Sequence, residues 1–382
     1  MAFSPHDREM MKLALKEAAA TSCPSPNPRV GAVVTDSSGH ILSTGAHWGS
    51  GTPHAEAAAL DLIGPAAQGG VLYCTLEPCF GTWPGKKQSP CSEKVVASGI
   101  SRLVVATADP HPRVSGQGLR FIEQAGIHVE TGLLATEALE LNEGWFFHSR
   151  HNRPLVTIKS AITLDGYIAD PTGTSQWITG PEARRRGHEL RASVDAVLVG
   201  SGTYLADSPR LNVRDVEGED PQIVVLDGQL RTQPVPGTGL RTIVYTQNAH
   251  PPQQHNNRQA WLDAGAEVVE LPYKSSSAGI PLVLQDLGKR GIRSLLVEGG
   301  AQVVSSFLDS ECWEYLELMM APKLLGGGKH WCINRPEARL QNAMDLADMK
   351  VEHRGEDLVL RSRRKTYWPW DGKEGLQCSL AL

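Results

Sequence analysis

A His-Ala-Glu tripeptide followed by two Pro-Cys pairs is the feature that most limits how this chain can fold. The tripeptide contains His54 and Glu56, and the two pairs end in Cys79 and Cys91. An imidazole nitrogen and two thiolates form a ligand set that suits Zn²⁺ with a fourth position open for water. The fold must therefore bring side chains from separate parts of the chain to one point.

Glu56 lies two residues after His54. A helix that begins near His54 places this carboxylate beside the metal without making it a ligand, where it takes a proton from water and passes it to a leaving amine. H-x-E followed by Pro-Cys and a second cysteine is the signature of zinc-dependent base deaminases. The alternative is a helix-capping histidine, a solvated glutamate and two core cysteines. The two Pro-Cys pairs favour the zinc site, since the tripeptide alone is a weak motif.

The spacing of the two cysteines departs from the usual deaminase pattern. Residues 80–90, F-G-T-W-P-G-K-K-Q-S-P, separate Cys79 from Cys91, so the two thiols cannot share one helical turn. This segment is rich in turn-forming residues and must fold back to bring both thiols to one metal. Cys91 also begins a predicted helix, and a helix N-terminus lowers the pKa of a thiol.

Length and charge narrow the class of protein. A chain of 382 residues exceeds one ordinary hydrophobic core, so two domains are expected. The net charge of −5 argues against a large nucleic-acid surface. The sequence has neither an apolar run of membrane-spanning length nor a secretory signal pattern. Seven cysteines, an odd number spread over a long chain, favour a reducing cytoplasm over a disulfide framework.

Hydrophobic periodicity predicts two consecutive α/β units. The first begins with a helix capped by Ser4 and continues with a hairpin of R-V-G-A-V-V-T-D and I-L-S-T-G-A-H. Alternating strands and helices follow, and T-E-A-L-E-L-N-E-G-W-F-F closes a three-layer domain as one helix. Polar H-S-R-H-N-R-P reads as a linker. The predicted segments are a first domain at 1–147, a linker at 148–153, a second domain at 154–363 and a tail at 364–382.

The second unit contains one candidate phosphate-binding turn. The predicted strand S-L-L-V-E runs into Gly299-Gly300 and then a helix that begins near Ala301. Such a turn presents free N–H groups to an anion. The pattern is short, and a tight strand-to-helix connection without a ligand is the alternative.

Motifs in the first half resemble the deaminase half of the bifunctional riboflavin-biosynthesis deaminase/reductase family. They are P-N-P-R-V-G, H-A-E, T-L-E-P-C and D-P-H-P-R-V-S-G-Q-G-L. The resemblance implies a cytidine deaminase-like fold, in which His54, Cys79 and Cys91 bind zinc. It also implies that Glu56 shuttles the proton and that Asn27 contacts the pyrimidine.

The loop between the two cysteines differs from the family pattern, which is close to S-H-H-G-R-T-P-P. The histidines of that pattern are absent here. We hypothesise that Lys86 or Lys87 contacts the substrate phosphate in their place. The alternative is that both are solvated loop charges.

Motifs in the second half resemble the reductase half of the same family and imply a dihydrofolate reductase-like α/β domain that binds NADPH. They are I-K-S-A-I-T-L-D-G, S-Q-W-I-T, V-G-S-G-T-Y-L-A-D-S-P-R-L-N-V-R, V-E-G-G and A-P-K-L-L-G-G. The implied NADPH contacts are Ala161, Trp177, Thr203, Asp207, Gly300, Ala301, Gln302, Val303, Val304, Ser305 and Ser306. The implied substrate contacts are Lys159, Ser175, Arg191, Leu211, Arg214 and Glu298.

Four of these residues have a chemical rationale or an alternative of their own. The two arginines suit a substrate 5′-phosphate, because a guanidinium binds phosphate through two parallel hydrogen bonds. Lys159 either polarises an imine or hydroxyl at the carbon that accepts hydride or forms a plain salt bridge. Trp177 either contacts the cofactor or belongs to the core.

The resemblance extends from about residue 7 to about residue 362 and implies two consecutive steps of riboflavin synthesis. The first is hydrolytic deamination of 2,5-diamino-6-ribosylamino-4(3H)-pyrimidinone 5′-phosphate, and the second is reduction of the ribosyl group to ribityl by NADPH. The expected partners are small phosphorylated pyrimidines, with no nucleic acid and no membrane, in a cytoplasmic homo-oligomer.

Three alternatives remain at this stage. In the first, the long cysteine loop prevents zinc binding and only the reductase works. The second is a nucleic-acid base deaminase, which leaves the second half unexplained. The third is a non-catalytic nucleotide-binding protein, which accounts for neither set of motifs.

Overall fold

The computed structural model describes residues 3–21, 27–82, 89–110, 115–237, 241–247, 255–273, 275–333 and 339–367. Two compact units divide the chain between His151 and Asn152. Lys86 and Lys87, the hypothesised phosphate contacts, lie outside the described residues. So does the predicted tail from residue 368 onward.

Unit 1 contains a five-stranded sheet in the order β2-β1-β3-β4-β5, with β1 antiparallel to both neighbours and β3, β4 and β5 parallel. Its helices and strands are α1 Pro5–Ala20, β1 Gly31–Thr35, β2 Ile41–Ala46, α2 Ala55–Ile63, β3 Val71–Leu76, α3 Cys91–Ala97, β4 Arg102–Thr107, α4 Gln117–Gln124, β5 His128–Thr131, α5 Ala135–Leu141 and α6 Glu143–His151.

The start of α1 confirms the predicted cap. Asp7 N–H donates to Ser4 Oγ at 3.0 Å, and the Asp7 carboxylate accepts from Ser4 N–H at 2.8 Å. Each side chain accepts a hydrogen bond from the backbone N–H of the other residue, which forms a capping box. Arg102 on β4 and Tyr73 on β3 also donate to Asp7, at 2.7 and 2.8 Å. One carboxylate thus begins the helix and ties it to the sheet.

The alternation of side chains along the strands produces the predicted three layers. Ala32 and Val34 of β1 point to one face, where they pack in a cluster that contains Leu60 of α2 and Val95 of α3. Val33, between them, belongs to the opposite cluster, formed with α1 and α5. Both faces of the sheet are therefore covered by helices. Cys74 of β3 is fully buried in the first cluster, as expected of a core thiol.

Two boundaries at the end of unit 1 differ from the sequence prediction. The single closing helix is two helices that break at Asn142, whose side chain accepts from Arg29 N–H and donates to Arg29 C=O, both at 2.8 Å. Hydrogen bonds between the Asn142 side chain and the distant Arg29 backbone compete with continuation of the helix at this position. Helix α6 also continues to His151, so residues 148–151 of the predicted linker are helical. The basic side chains there suit the negative end of a helix.

Unit 2 is built on a nine-stranded sheet in the order β11-β10-β9-β8-β12-β6-β13-β16-β15. The strands from β11 to β13 in this order are parallel, and β16 and β15 pair in antiparallel fashion. A second sheet pairs β14 with β7. Its elements are β6 Leu155–Thr163, β7 Tyr167–Ala169, α7 Pro181–Ala192, β8 Ala196–Gly200, α8 Ser201–Asp207, β9 Gln222–Leu226, β10 Thr242–Gln247, α9 His255–Asp263, β11 Glu267–Leu271, α10 Ser276–Lys289, β12 Ser294–Val297, α11 Ala301–Asp309, β13 Tyr315–Ala321, β14 Lys329–His330, β15 Leu346–Arg354 and β16 Asp357–Arg364.

Helix α10 has no counterpart in the sequence prediction. It contains Pro281, and glycines lie on both sides of that proline. Both residue types disfavour helix, but Ile280, Val283, Leu284 and Leu287 recur at helical spacing and are almost fully buried. Burial of this apolar face against the sheet outweighs the low intrinsic propensity of the segment.

The central strands of unit 2 are buried on both faces. Every residue of β8 is buried, and its side chains alternate between a cluster with α10 and α11 and a cluster with α7 and α9. Such continuous apolar strands are typical of a parallel sheet between two helical layers. The carboxyl ends of the parallel strands meet at one edge, where ligands usually bind in this class of sheet. No helix in the described part of the chain is long and apolar enough to cross a membrane.

Candidate active sites

His54, Cys79 and Cys91 lie together in unit 1 as the motif predicts. His54 Nδ1 is 3.5 Å from Cys79 Sγ and 3.2 Å from Cys91 Sγ. The three potential ligand atoms lie within 4.8 Å of one another. One nitrogen and two sulfurs at these separations fit a tetrahedral zinc ion with a fourth position to spare.

Three different elements supply these side chains. His54 is the N-cap of α2, Cys79 follows the turn after β3, and Cys91 is the first residue of α3. Backbone N–H groups close the long loop, since Cys91 N–H donates to Cys79 Sγ at 3.4 Å and Ser92 N–H donates to Cys79 C=O at 3.2 Å. The wide spacing of the cysteines is therefore compatible with one metal site.

Glu56 occupies the first turn of α2 and is only 3% exposed. Burial raises the pKa of its carboxyl to about 7, although the nearby His54 opposes this shift. A group with a pKa near neutrality both accepts and releases a proton readily, as a general acid/base must.

The two thiols respond differently to their surroundings. Hydrogen bonds from Cys91 and His54 lower the pKa of the Cys79 thiol. The bond with Cys79, together with burial, raises the pKa of Cys91. The two adjacent thiols share one proton, and a cation bound by both would ionise both.

Two further residues at this site were missed by the sequence analysis. His47 is buried, and its ring meets that of His54 edge to face at 5.1 Å between centroids. Its Nδ1 lies 3.0 Å from Pro53 C=O. A lone histidine at the end of a predicted strand carries no local signal of this role.

Asn27, the predicted pyrimidine contact, is half-buried and lies just before β1.

Glu77, two residues before Cys79, is the second missed residue. Its buried carboxylate accepts four backbone N–H groups, from Asp109, Gly116, Gly118 and Leu119, at 2.9 to 3.4 Å. Gly118 packs so tightly that an added Cβ would lie 2.3 Å from Pro78 C=O. Burial raises the pKa of Glu77, against the four N–H groups that lower it. This side chain joins the cysteine turn to the start of α4.

A cavity of about 1040 Å³ opens at the carboxyl ends of the parallel strands in unit 2. Most residues that the sequence assigned to NADPH line it, namely Ala161, Thr203, Asp207, Gly300, Ala301, Gln302, Val303 and Ser306. Three predicted substrate contacts also line it, namely Lys159, Ser175 and Glu298.

The remaining predicted contacts lie outside the cavity lining. Trp177 is 63% exposed with the guanidinium of Arg184 stacked on its ring at 4.5 Å, so it is not a core aromatic. Val304 is fully buried in the core, and Ser305 accepts from Ile333 N–H at 2.8 Å. Leu211 is buried at a positive φ of 51°. Arg214 is exposed and donates to Asn212 at 2.5 Å.

Arg191 reaches the cavity only through Glu298. Its guanidinium forms two hydrogen bonds with that carboxylate, and its third nitrogen donates to Asn212 C=O at 3.3 Å. Lys159 Nζ lies 3.9 Å from the same carboxylate. Burial alone would raise the pKa of Glu298, but Arg191 and Lys159 outweigh it and lower the pKa to about 2. A carboxylate that is ionised at neutral pH therefore faces the cavity.

The glycine turn fits a dinucleotide pyrophosphate. Gly300 is the N-cap of α11 and has no side chain to cap the first N–H groups of the helix. An added Cβ at Gly200 or Gly299 would lie 2.5 Å from the Val303 side chain. Both glycines therefore allow close approach of backbone at the cavity floor. The cavity volume is also in the range of cofactor sites.

The two sites define a zinc-dependent deaminase joined to a nicotinamide-dependent reductase. Comparison with known families agrees with each half. The model for the cytidine and deoxycytidylate deaminase zinc-binding region matches residues 4–107. The model for the RibD C-terminal domain matches residues 154–360.

Relatives match over nearly the whole chain. Riboflavin biosynthesis protein RibD of Aquifex aeolicus is 38% identical over 94% of this chain and 98% of that protein. RibD of Escherichia coli is 34% identical over 88% of this chain and 93% of that protein. The chain therefore belongs to the RibD family, the bifunctional deaminase/reductases of riboflavin synthesis.

Solved structures share the same two-unit chain. Acinetobacter baumannii RibD superposes with a TM-score of 0.84 at 31% identity, covering 94% of this chain and 99% of that chain. A diaminohydroxyphosphoribosylaminopyrimidine deaminase/5-amino-6-(5-phosphoribosylamino)uracil reductase of Thermotoga maritima superposes with a TM-score of 0.78 at 32% identity, with the same coverage. The cytidine deaminase-like and reductase folds expected from the motifs are confirmed.

Proposed function

We propose that this chain deaminates 2,5-diamino-6-ribosylamino-4(3H)-pyrimidinone 5′-phosphate and then reduces the ribosyl group of the product to ribityl with NADPH. The observation that carries the proposal is the closed His54–Cys79–Cys91 cluster with the buried Glu56 beside it. The chain is an enzyme with both activities, as the two family matches support.

The deamination depends on proton transfer by Glu56. When bound, zinc acts as a Lewis acid that lowers the pKa of water and so supplies the nucleophile. Glu56, whose pKa is about 7, takes the proton that water loses as its oxygen bonds to the ring carbon bearing the amino group. Glu56 then gives the proton to the amino nitrogen, the carbon–nitrogen bond breaks, and ammonia leaves.

The reduction depends on charges that face the second cavity. NADPH, when bound, supplies the hydride. Hydride addition to the ribosyl carbon of the opened imine requires a proton at nitrogen, and Lys159 is the cavity-lining acid that we assign to this step. Glu298, fixed by Arg191, holds Lys159 and orients hydroxyl groups of the substrate. Arg191 thus positions Glu298, and the substrate phosphate is assigned to Arg214.

Zinc content and two separate assays test the proposal. The purified chain is expected to contain about one zinc per chain and to carry out both reactions. Cys91→Ser is expected to lose zinc and deamination while it retains NADPH oxidation with the deaminated substrate. A parent chain without zinc but with intact reductase activity would support the reductase-only alternative instead.

The domain limits and the assembly complete the proposal. We assign the deaminase to residues 1–147 and the reductase to residues 154–363, in a cytoplasmic homo-oligomer. Edge strand β15 supports association, because Met349 and Val351 are 57% and 55% exposed on an edge strand. Light scattering of the purified chain tests this part, and a monomer at micromolar concentration would contradict it.

A further inference from the structure

We propose that His188 is a positioning residue for the reductase substrate, because its neutral imidazole holds the loop that carries Leu211 and Arg214. This loop, residues 211–215, lies between α8 and β9. The inference rests on the proposed function, which places the substrate phosphate at Arg214. His188 itself lies in α7 and is not among the substrate and cofactor contacts that the sequence motifs implied.

The contact between α7 and the loop is a hydrogen bond to the histidine ring. Arg214 N–H donates to His188 Nδ1 at 3.2 Å, and His188 is only 7% exposed. A ring nitrogen that accepts from an N–H group carries no proton, so the ring is neutral and its proton is on Nε2. The side chain assigned to the substrate phosphate therefore extends from a backbone position that His188 fixes.

Two further side chains hold the backbone of the same loop. Arg191 donates to Asn212 C=O at 3.3 Å, and Asp220 accepts from the next N–H group of the loop at 2.7 Å. His188 and Arg191 are three residues apart and so lie on one face of α7. The Arg191 guanidinium also binds Glu298 at the cavity. One face of α7 thus positions both the loop and the carboxylate.

The conformation of the loop depends on such contacts. Leu211 and Asp215, at its two ends, have φ angles of 51° and 63°. Residues other than glycine rarely adopt this left-handed region, and they stay in it only where surrounding contacts hold them. Leu211 is also buried in the core of unit 2. Loss of the His188 contact is therefore expected to release Arg214 while Leu211 keeps the loop attached to the core.

The surroundings of His188 favour the neutral ring. Burial lowers the pKa of His188, and the guanidiniums of Arg191 and Arg214 lower it further. A hydrogen bond with the Asn212 backbone and the carboxylate of Asp215 oppose this shift in pKa without reversing it. The ring is therefore neutral at pH 7, and its Nδ1 is available as an acceptor.

Protonation of His188 would remove this acceptor and so weaken substrate binding at low pH. A protonated ring has a donor at both nitrogens and would oppose the Arg214 N–H with a second donor. Glu298, which follows β12, also interacts electrostatically with this ring, and it stays ionised above its pKa of about 2. The charge of Glu298 is therefore constant over the range in which His188 gains a proton, which begins as the pH falls below 6.5.

Two substitutions of His188 in the full chain separate loss of the acceptor from loss of the ring. His188→Leu has no acceptor, and its KM for the deaminated substrate is expected to rise about five- to tenfold at about pH 7.5, since a buried N–H group loses its partner. His188→Asn places an oxygen near the position of Nδ1, so its KM is expected to stay within about twofold of the parent. In both variants kcat, the dissociation constant of NADPH and the deamination rate are expected to be unchanged.

The pH dependence of binding is a readout that a purely structural role would not move. Calorimetric titration with the ribityl product between about pH 5 and pH 8 compares the parent with His188→Asn. The affinity of the parent relative to this variant is expected to fall as the pH drops below 6.5, because only the parent has a titrating group at this position. Ionisation of the ligand phosphate is the same in both titrations and cancels in the ratio. His128→Asn, which removes an exposed histidine of β5, is the control and is expected to follow the parent.

Each part of the inference can fail separately. An unchanged KM in His188→Leu would overturn the positioning role. A ratio of parent to His188→Asn affinity that does not change with pH would overturn the requirement for a neutral ring, and this comparison stands even where His188→Leu does not fold. A parent chain that binds NADPH but does not oxidise it with the deaminated substrate would instead overturn the proposed function.

Discussion

Arg191 Nε donates to Glu298 Oε1 at 2.7 Å, and Arg191 Nη2 donates to Glu298 Oε2 at 2.8 Å. The two side chains are 15% and 10% exposed, so this pair lies largely out of water. The guanidinium is bound to the carboxylate and does not line the cavity, whereas the carboxylate does. The pair joins α7 to the strand end that carries the glycine turn.

Removal of the arginine is expected to destabilise the protein strongly. Arg191→Gln leaves a largely buried carboxylate with Lys159 as its nearest cation, which costs about 3 kcal/mol or more. Urea unfolding followed by tryptophan fluorescence measures the loss. Arg185→Gln is the control, because Arg185 makes an exposed pair with Glu189 at 4.0 Å that is worth less than about 1 kcal/mol. Equal losses in the two variants would contradict this account.

Because Glu298 is ionised in the folded protein, the free energy of unfolding is expected to fall with pH in the acid range. Its folded-state pKa of about 2 lies below the ordinary value of 4.5. The ionised pair therefore contributes stability that is fully present above about pH 4.5 and is lost as the pH falls toward 2. The difference in free energy of unfolding between the parent and Glu298→Gln should shrink as the pH falls from about 4.5 to about 2. A difference that does not change with pH would show that Glu298 is not the titrating group.

Loss of the Glu56 carboxylate is expected to stop deamination without loss of metal. Glu56→Gln keeps the size of the side chain and all three proposed ligands, so zinc content should stay near that of the parent. The deamination rate should fall by about 10² to 10⁴, the usual contribution of a general acid/base. NADPH oxidation by the same chain serves as the internal control. A variant that deaminates normally would remove Glu56 from the mechanism.

Glu77→Gln tests how the cysteine turn is held. The amide has one acceptor oxygen where the carboxylate has two, and its NH₂ group would face N–H donors from the loop that begins α4. We expect a loss of about 1 to 3 kcal/mol in the stability of unit 1 and a weaker deaminase, with reductase activity unchanged. Glu93→Gln, on the exposed face of α3, is the control. Parallel loss of both activities would indicate general unfolding.

The glycine turn can be tested by two substitutions to alanine. Gly299→Ala places a Cβ 2.5 Å from the Val303 side chain, so α11 must shift and NADPH binding should weaken. Gly327→Ala adds a methyl group with no atom within 4 Å and outside the cavity lining, so NADPH binding should stay as in the parent. Dissociation constants for NADPH from fluorescence titration separate the two. Equal affinities would mean that the turn tolerates the shift.

Local features of this protein could be predicted from the sequence because their causes are local. The Ser4 cap depends on a residue three positions away, and the alternation of Ala32, Val33 and Val34 between two faces follows from strand geometry. The types of ligand in the zinc site also follow directly from His54, Cys79 and Cys91, since the chemistry of a donor atom does not depend on the fold.

Tertiary structure decided which distant groups meet. Closure of the cysteine loop, the four N–H groups on Glu77 and the pairing of Arg191 with Glu298 all join residues far apart in the sequence. Helix α10 forms although it contains Pro281, because its apolar face is buried against the sheet. Helix propensity and sequence motifs depend on a few neighbouring residues, whereas burial and charge pairing depend on how the sheets and helices pack. The sequence alone therefore specified the chemical groups of the two sites, and packing specified their geometry.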